Sequence, residues 1–140
     1  MTGVVRVAAP CVESQPGQTA RNLERIREAC DQAAQQGARL VLFPELSLSG
    51  FLPNHPPQDH ALWVREALAV AWRMAEPIEG PSVRALVELA RRSGLYVAAG
   101  LIENAGNVLY NTTVLVGPEG LVGAWRKLHI PLFEMPFFNP

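Results

Sequence analysis

Three charged residues of this sequence follow or interrupt apolar runs. Glu45 comes directly after "LVLFP", Lys127 ends the run "LVGAWRK", and Glu134 lies within the aromatic stretch "LFEMPFF". In open α/β sheets, functional sites form beyond the carboxyl ends of the strands, so Glu45 is a candidate functional residue. Each residue also has a structural alternative. Glu45 could cap the next turn, Lys127 could be an edge-strand lysine that blocks strand addition, and Glu134 could be an ordinary loop carboxylate.

The elements that must position these residues follow from hydrophobic periodicity. The predicted order is β-α-β-α-α-β-β-β, which gives an α/β fold with a mixed sheet and helices on one face. The first helix has an apolar stripe formed by Leu23, Ile26, Cys30 and Ala33, and Gly37 is placed to end it. Two buried strands are predicted, "VVRVAA" (4–9) and "ARLVLFPE" (38–45). Two further helices are predicted over 61–75 and from Pro81 to Gly94. A strand over 95–103 follows, and then a hairpin of 108–116 with 121–130.

Composition limits the classes of function. Apolar residues make up 49% of the 140 residues, which is typical of one globular domain, and the formal net charge of −1 favours neither nucleic acid nor an anionic membrane as a partner. No apolar run approaches the roughly 18 residues of a spanning helix, and no signal peptide is recognisable, so we expect a cytoplasmic protein. Cys11 and Cys30 are predicted to be reduced thiols, and the spacing of His55 and His60 favours no metal site. We therefore expect no cofactor and no metal.

Several motifs together carry a resemblance to a known family. "FPELSLSGF", "LYNTTVLVGPEG" and "WRKLHIP" occur in this order and resemble the N-terminal half of the carbon–nitrogen hydrolase (nitrilase) superfamily. The tail "HIPLFEMPFFNP" is similar to the segment found in members that cleave N-carbamoyl groups and aliphatic amides. The resemblance implies about one half of a four-layer αββα sandwich. Residues 1–140 would then form a single partial domain that lacks the C-terminal half.

The resemblance also implies roles for the charged residues. Family members use a glutamate, a lysine and a cysteine, so Glu45 would be the general base and Lys127 would stabilise the oxyanion. Glu134 matches a second glutamate that holds the lysine and the substrate in register. The implied substrate is a small-molecule amide, nitrile or N-carbamoyl compound, and the full-length protein is expected to be a homo-oligomer. Neither Cys11 nor Cys30 matches the motif of the nucleophile, so we expect the 140-residue chain to be inactive on its own.

Two other functions remain open from the sequence. The chain could be one half of a split hydrolase, or a non-catalytic domain that binds a partner through an open sheet face. If the catalytic interpretation holds, Glu45 and Lys127 should lie within hydrogen-bonding or ion-pair distance, with Glu134 close to Lys127. We also expect an uncovered apolar sheet face, which would cause the isolated chain to aggregate, to dimerise or to require its C-terminal half for solubility.

Overall fold

A five-stranded sheet organises the computed structural model, which describes residues 3–52 and 59–140. The strands lie in chain order, the first three parallel and the last three antiparallel, so the predicted element order and mixed sheet are confirmed. The elements are β1 (Val7–Ala8), α1 (Thr19–Gln35), β2 (Leu40–Leu42), α2 (His60–Met74), α3 (Pro81–Ser93), β3 (Tyr96–Asn104), β4 (Leu109–Gly117) and β5 (Gly120–Arg126). His60 begins α2, whereas His55 lies outside the described residues.

Helices α1 and α3 cover one face of the sheet. The apolar stripe predicted for α1 is confirmed, since Ile26, Cys30 and Ala33 are buried and pack with α3 and with alternate residues of β3 and β4. Both helices end as the sequence predicts, because Gly37 and Gly94 adopt left-handed φ values of 73° and 69° that cost glycine little. The main core therefore lies between these two helices and the sheet.

Helix α2 belongs to a second cluster at the end of the sheet where β3 ends and β4 begins. Its residues Trp63, Ala67, Ala71 and Met74 are buried with Ile102 of β3, Leu109 of β4 and the C-terminal Phe137 and Phe138. The rings of Trp63 and Phe137 meet edge to face, with centroids 5.5 Å apart. This cluster ties the aromatic tail to the sheet, and so it determines where Glu134 can lie. Within residues 3–52 and 59–140, no helix is long and apolar enough to cross a bilayer.

The first two strands differ from the prediction. The sequence suggested that 4–9 is a strand buried on both faces, but β1 has two residues and Val4, Val5 and Val7 are 97, 62 and 48% exposed. β1 is an edge strand that pairs with β2 alone, so a row of its backbone groups lacks a neighbouring strand. The second strand was also predicted to be longer and buried, whereas β2 covers Leu40–Leu42 and Leu42 is 42% exposed.

Several exposed or half-buried strand residues share one side of the sheet, opposite α1 and α3. In the observed register Leu42 pairs with Ala98 and Ala98 pairs with Leu115, and Trp125, which is 58% exposed, pairs with Thr113. Side chains alternate between the faces of a sheet, so these residues point away from the buried Val97, Ala99 and Val114. We call this side, formed by Val7, Leu42, Ala98, Leu115 and Trp125, the open face. Its exposure in this chain agrees with the expected uncovered face.

Candidate active site

A strained turn presents Glu45 at the end of β2. The strand ladder continues one residue past β2 through the hydrogen bond from Phe43 N to Ala98 O at 2.9 Å, and Pro44 then ends the extended run. Leu46 has a φ of 51°, in the left-handed region that residues other than glycine rarely adopt. The turn closes through Ser47 N, which donates to Pro44 O at 3.3 Å. Such strain, of about 1–3 kcal/mol, persists only where surrounding contacts impose it.

Contacts with Gly100 in the middle of β3 impose that conformation. Gly100 N donates to Ser47 Oγ at 3.2 Å, and Leu48 N donates to Gly100 O at 2.9 Å. A Cβ atom at position 100 would lie 2.3 Å from Leu46 N, a distance that real Cβ atoms do not reach. Only glycine therefore lets the turn after β2 lie directly on β3, and this contact sets the position of the Glu45 backbone.

Lys127 is held by the end of β5. Its backbone N–H donates to Asn111 O at 2.8 Å, one residue beyond the last residue of the strand. The preceding Arg126 makes a bidentate ion pair with Glu103, with nitrogen–oxygen distances of 2.6 and 3.0 Å. Such paired hydrogen bonds restrict orientation as well as adding energy. Lys127 is thus anchored to β4 through its backbone, and the residue before it is anchored to β3 through its side chain.

Glu103 completes this anchor from inside the sheet. Its side chain is 7% exposed, and Thr112 Oγ1 donates to it at 2.7 Å beside the Arg126 pair. The hydrogen bonds from Arg126 lower the pKa of Glu103, and they outweigh the opposing effect of burial. The Arg126 guanidinium also stacks over the Tyr110 ring, 3.6 Å from its centroid, which fits a cation–π contact. Glu103 was not singled out from the sequence, where a glutamate within "GLIEN" has no distinguishing pattern.

Glu134 comes from the aromatic tail. Its backbone N–H donates to Pro131 O at 2.8 Å, and its carbonyl accepts hydrogen bonds from the N–H groups of Phe137 and Phe138 at 2.9 and 3.1 Å. Those two phenylalanines are buried in the cluster around α2, so the turn carrying Glu134 is fixed by apolar packing. The Glu134 side chain is only 11% exposed.

The structure brings the three predicted site residues together. Lys127 Nζ lies 2.7 Å from Glu45 Oε1, and 3.2 and 3.0 Å from Oε1 and Oε2 of Glu134. The predicted convergence is therefore confirmed, although these distances leave the catalytic roles as predictions. Burial lowers the pKa of Lys127, but hydrogen bonds to Glu45 and then Glu134 outweigh that effect and raise it above the ordinary value. Lys127 thus remains a cation at neutral pH.

Asn111 is a fourth member of this group that the sequence did not reveal as a site residue. Its side-chain Nδ2 donates to Glu45 Oε1 at 2.5 Å, and it is 3% exposed. The motif "LYNTTVLVGPEG" contained it, but nothing in that pattern assigned it a partner. The cluster of Glu45, Asn111, Lys127 and Glu134 can hold a carboxylate ready to accept a proton next to a fixed positive charge.

The two cysteines lie in the main core and in a groove along α1. Cys30 is a fully buried residue of α1, and desolvation raises its pKa to about 12. Cys11 is exposed and lines a groove with Glu13, Arg25 and Glu28 along the same helix. Among the residues that the structure describes, no three His, Cys, Asp or Glu side chains are grouped as metal ligands.

Comparison with known proteins identifies the family of this chain. The chain belongs to the carbon–nitrogen hydrolase family, whose sequence profile matches residues 6–140. It is 32% identical over 137 residues to a nitrilase of Pyrococcus abyssi, covering 98% of this chain and 48% of that protein. It is also 32% identical to an (R)-stereoselective amidase of Pseudomonas sp. over 124 residues, and to the omega-amidase of Homo sapiens over 119 residues. These alignments cover 89% and 81% of this chain, and 40% and 37% of the two amidases.

Solved structures show the same fold. An amidase from Nesterenkonia sp. matches with a TM-score of 0.71 at 24% identity, over 97% of this chain and 48% of that one. A carbon–nitrogen hydrolase from Helicobacter pylori G27 matches with a TM-score of 0.74 at 18% identity, over 97% and 44% of the respective chains. The chain therefore spans about half the length, or less, of the relatives it matches.

Proposed function

We propose that this chain supplies the base and the oxyanion-stabilising cation of an active site that hydrolyses carbon–nitrogen bonds in small amides, nitriles or N-carbamoyl compounds. The observation that carries the proposal is the 2.7 Å contact between Lys127 Nζ and Glu45 Oε1, with Glu134 on the other side of the ammonium. A structural ion pair would not need a second carboxylate, a left-handed residue beside the base and a buried amide on the same oxygen. The activity would belong to the whole protein.

The geometry supports a covalent mechanism. Glu45 accepts the proton of a cysteine thiol that, by family resemblance, comes from outside these 140 residues, and the thiolate attacks the carbonyl carbon of an amide. Lys127 stabilises the negative oxygen of the tetrahedral intermediate, and Glu45 returns the proton to the departing amine or ammonia. Water then attacks the thioester, with Glu45 as the base, and the acid and the thiol are released. Glu134 keeps Lys127 charged and oriented through both steps.

Two observations support the proposed substrate class, namely the relatives and the tail. The relatives are named as a nitrilase, an (R)-stereoselective amidase and an omega-amidase, and their names point to nitriles and amides as substrates of those proteins. The likeness of "HIPLFEMPFFNP" to members that cleave N-carbamoyl groups and aliphatic amides favours these over nitriles. In the structure this tail places Glu134 against Lys127, so one wall of the proposed substrate site would come from it.

Ammonia release from a panel of aliphatic amides, N-carbamoyl compounds and nitriles tests the proposal. We expect the whole protein to release ammonia and Glu45→Gln to lower kcat by about 10²–10⁴-fold, the usual contribution of a positioned acid–base group. The matched control is Glu66→Gln, an exposed carboxylate of α2, which should retain activity. An unchanged kcat in Glu45→Gln would contradict the proposed role of the base.

The 140-residue chain gives a second test. We expect no ammonia release from it, because Cys30 is buried and Cys11 lies along α1. Release that Glu45→Gln abolishes would show that the nucleophile lies within the chain, and Cys11→Ser would then identify it.

A binding domain, or one chain of a split hydrolase, is the second candidate function. The observation that favours it is the open face, on which Val7, Leu42 and Trp125 are 48, 42 and 58% exposed. Exposed apolar residues grouped on one face are typical of a surface that another protein segment covers. Retention of Glu45, Lys127 and Glu134 in contact favours the hydrolase over a domain that only binds.

A further inference from the structure

Asn111 contacts both Glu45 and Lys127 in the charged cluster. It lies in β4 opposite Ile102 of β3, and its side chain is buried within the sheet region rather than in a loop. Its amide Nδ2 donates to Glu45 Oε1 at 2.5 Å, while its backbone carbonyl accepts the Lys127 N–H at 2.8 Å. One residue therefore holds the carboxylate through its side chain and the cation through its main chain.

The two carboxylate oxygens of Glu45 differ in the hydrogen bonds that they accept. Asn111 Nδ2 and Lys127 Nζ both donate to Oε1, at 2.5 and 2.7 Å. Lys127 directs its further N–H groups towards Glu134, at 3.0 and 3.2 Å. In the described part of the chain, the hydrogen bonds found for the Glu45 carboxylate all fall on Oε1. Oε2 accepts none of these bonds, and the Glu45 side chain is 40% exposed, so Oε2 is the oxygen left for an incoming group.

An oxygen that accepts from an ammonium and an amide is a poor proton acceptor, because a new proton would have to displace a donor. The other oxygen of the same carboxylate keeps its lone pairs free for a proton. Asn111 is suited to holding Oε1 because its side chain is a neutral hydrogen-bond donor. It orients the carboxylate without competing with Lys127 for the negative charge, and burial makes its hydrogen bond costly to break.

We propose that Asn111 is the positioning residue that fixes Glu45 Oε1 against Lys127 and so assigns Oε2 as the oxygen that accepts the proton. The proposal deepens, and rests on, the proposed hydrolase function. Asn111 does not itself touch the reacting atoms. Its side-chain N–H groups, rather than its volume, carry the role.

Two substitutions distinguish the effect of the Asn111 N–H donor from the effect of the side-chain volume. Asn111→Asp keeps the shape but replaces the N–H donor with an acceptor, whereas Asn111→Ala removes both. The matched control is Asn107→Ala, which removes an exposed amide from the turn between β3 and β4. In the whole protein we expect kcat of both Asn111 variants to fall about 100-fold at neutral pH, with KM little changed, as for a group misplaced by about 1 Å. Asn107→Ala should leave both constants unchanged.

The pH profile distinguishes positioning from packing. In Asn111→Asp the introduced carboxylate faces Glu45, with Lys127 and Glu134 close by, and two carboxylates in such contact cannot both ionise readily. When they share one proton, the introduced group becomes an O–H donor to Glu45. We therefore expect kcat of Asn111→Asp to recover as pH falls, while Asn111→Ala shows no recovery. Wild-type kcat in Asn111→Asp at neutral pH would overturn the proposal, since shape alone would then suffice.

A readout independent of activity uses the whole protein in its folded state. NMR titration of the Lys127 side chain should show its pKa lowered in Asn111→Ala and unchanged in Asn107→Ala, because Glu45 is no longer held against the ammonium. An unchanged Lys127 titration in folded Asn111→Ala would refute the positioning role. If the whole protein hydrolyses no substrate, the proposed function fails, and this titration still decides whether Asn111 holds Glu45.

Discussion

Replacing Gly100 with alanine tests how the turn that carries Glu45 is positioned. The new Cβ would lie 2.3 Å from Leu46 N and 3.1 Å from Glu45 C, so the obstruction is main chain and cannot rotate away. Either β3 or the turn must shift by about an ångström, which weakens the 2.9 Å hydrogen bond from Leu48 N to Gly100 O. We expect Gly100→Ala to cost about 1–3 kcal/mol, as overpacking in a well-packed region does. Thermal unfolding followed by circular dichroism should then show Tm lowered by about 3–10 °C for a chain of this size.

Gly123→Ala is the matched control. Both glycines lie in strands, neither has a positive φ, and the register places them on the same face of the sheet. The three atoms nearest to a Cβ at position 123 all belong to the ring of Trp125, the nearest at 2.7 Å, and Trp125 is 58% exposed, so a side chain rather than main chain would have to shift. We expect a change within about 0.5 kcal/mol for Gly123→Ala. Equal Tm values for the two variants would refute the inference that close approach of the turn to β3 requires glycine at position 100.

Three further predictions concern the rest of the chain. An aromatic disulfide reagent at mildly alkaline pH should label Cys11 in the folded chain and Cys30 only after unfolding, because burial raises the pKa of Cys30 to about 12; rapid labelling of both would contradict this. Hydrogen bonds from Arg126 lower the pKa of Glu103, so the stability that this pair contributes is present above the unfolded pKa of about 4.3 and is lost as pH falls through the lower folded value. Urea denaturation should therefore show that Glu103→Gln lowers the free energy of unfolding by about 1–3 kcal/mol at neutral pH. On acidification the free energy of unfolding should fall less for this variant than for the wild type. Sedimentation at micromolar concentration should show self-association of the 140-residue chain that Trp125→Gln reduces, since that ring lies on the open face; a monomeric wild-type chain would argue for a self-sufficient domain.

Much of the fold could be predicted from the sequence because its signals are local. The stripe of Ile26, Cys30 and Ala33 requires one helical face to be buried, and glycine at positions 37 and 94 ends the two helices through left-handed φ values. The motifs around Glu45, Lys127 and Glu134 identified the candidate site, and the structure brings these residues into contact. The helical stripe, the glycine helix ends and each motif taken singly depend on residues a few positions apart in the chain.

The tertiary structure decided what depends on register and on neighbours. The run at 4–9 is as apolar as a buried strand, but only pairing shows that β1 is an edge strand with Val4 and Val5 exposed. The bond from Asn111 to Glu45 joins residues 66 positions apart, and the bond from Lys127 to Glu45 joins residues 82 apart. Sequence patterns report which faces are apolar, whereas a hydrogen bond of 2.5 Å requires strand register and backbone approach to be set within a fraction of an ångström. The sequence was therefore enough to predict the charged residues of the candidate site, whereas only the packed structure shows that Asn111 contacts Glu45.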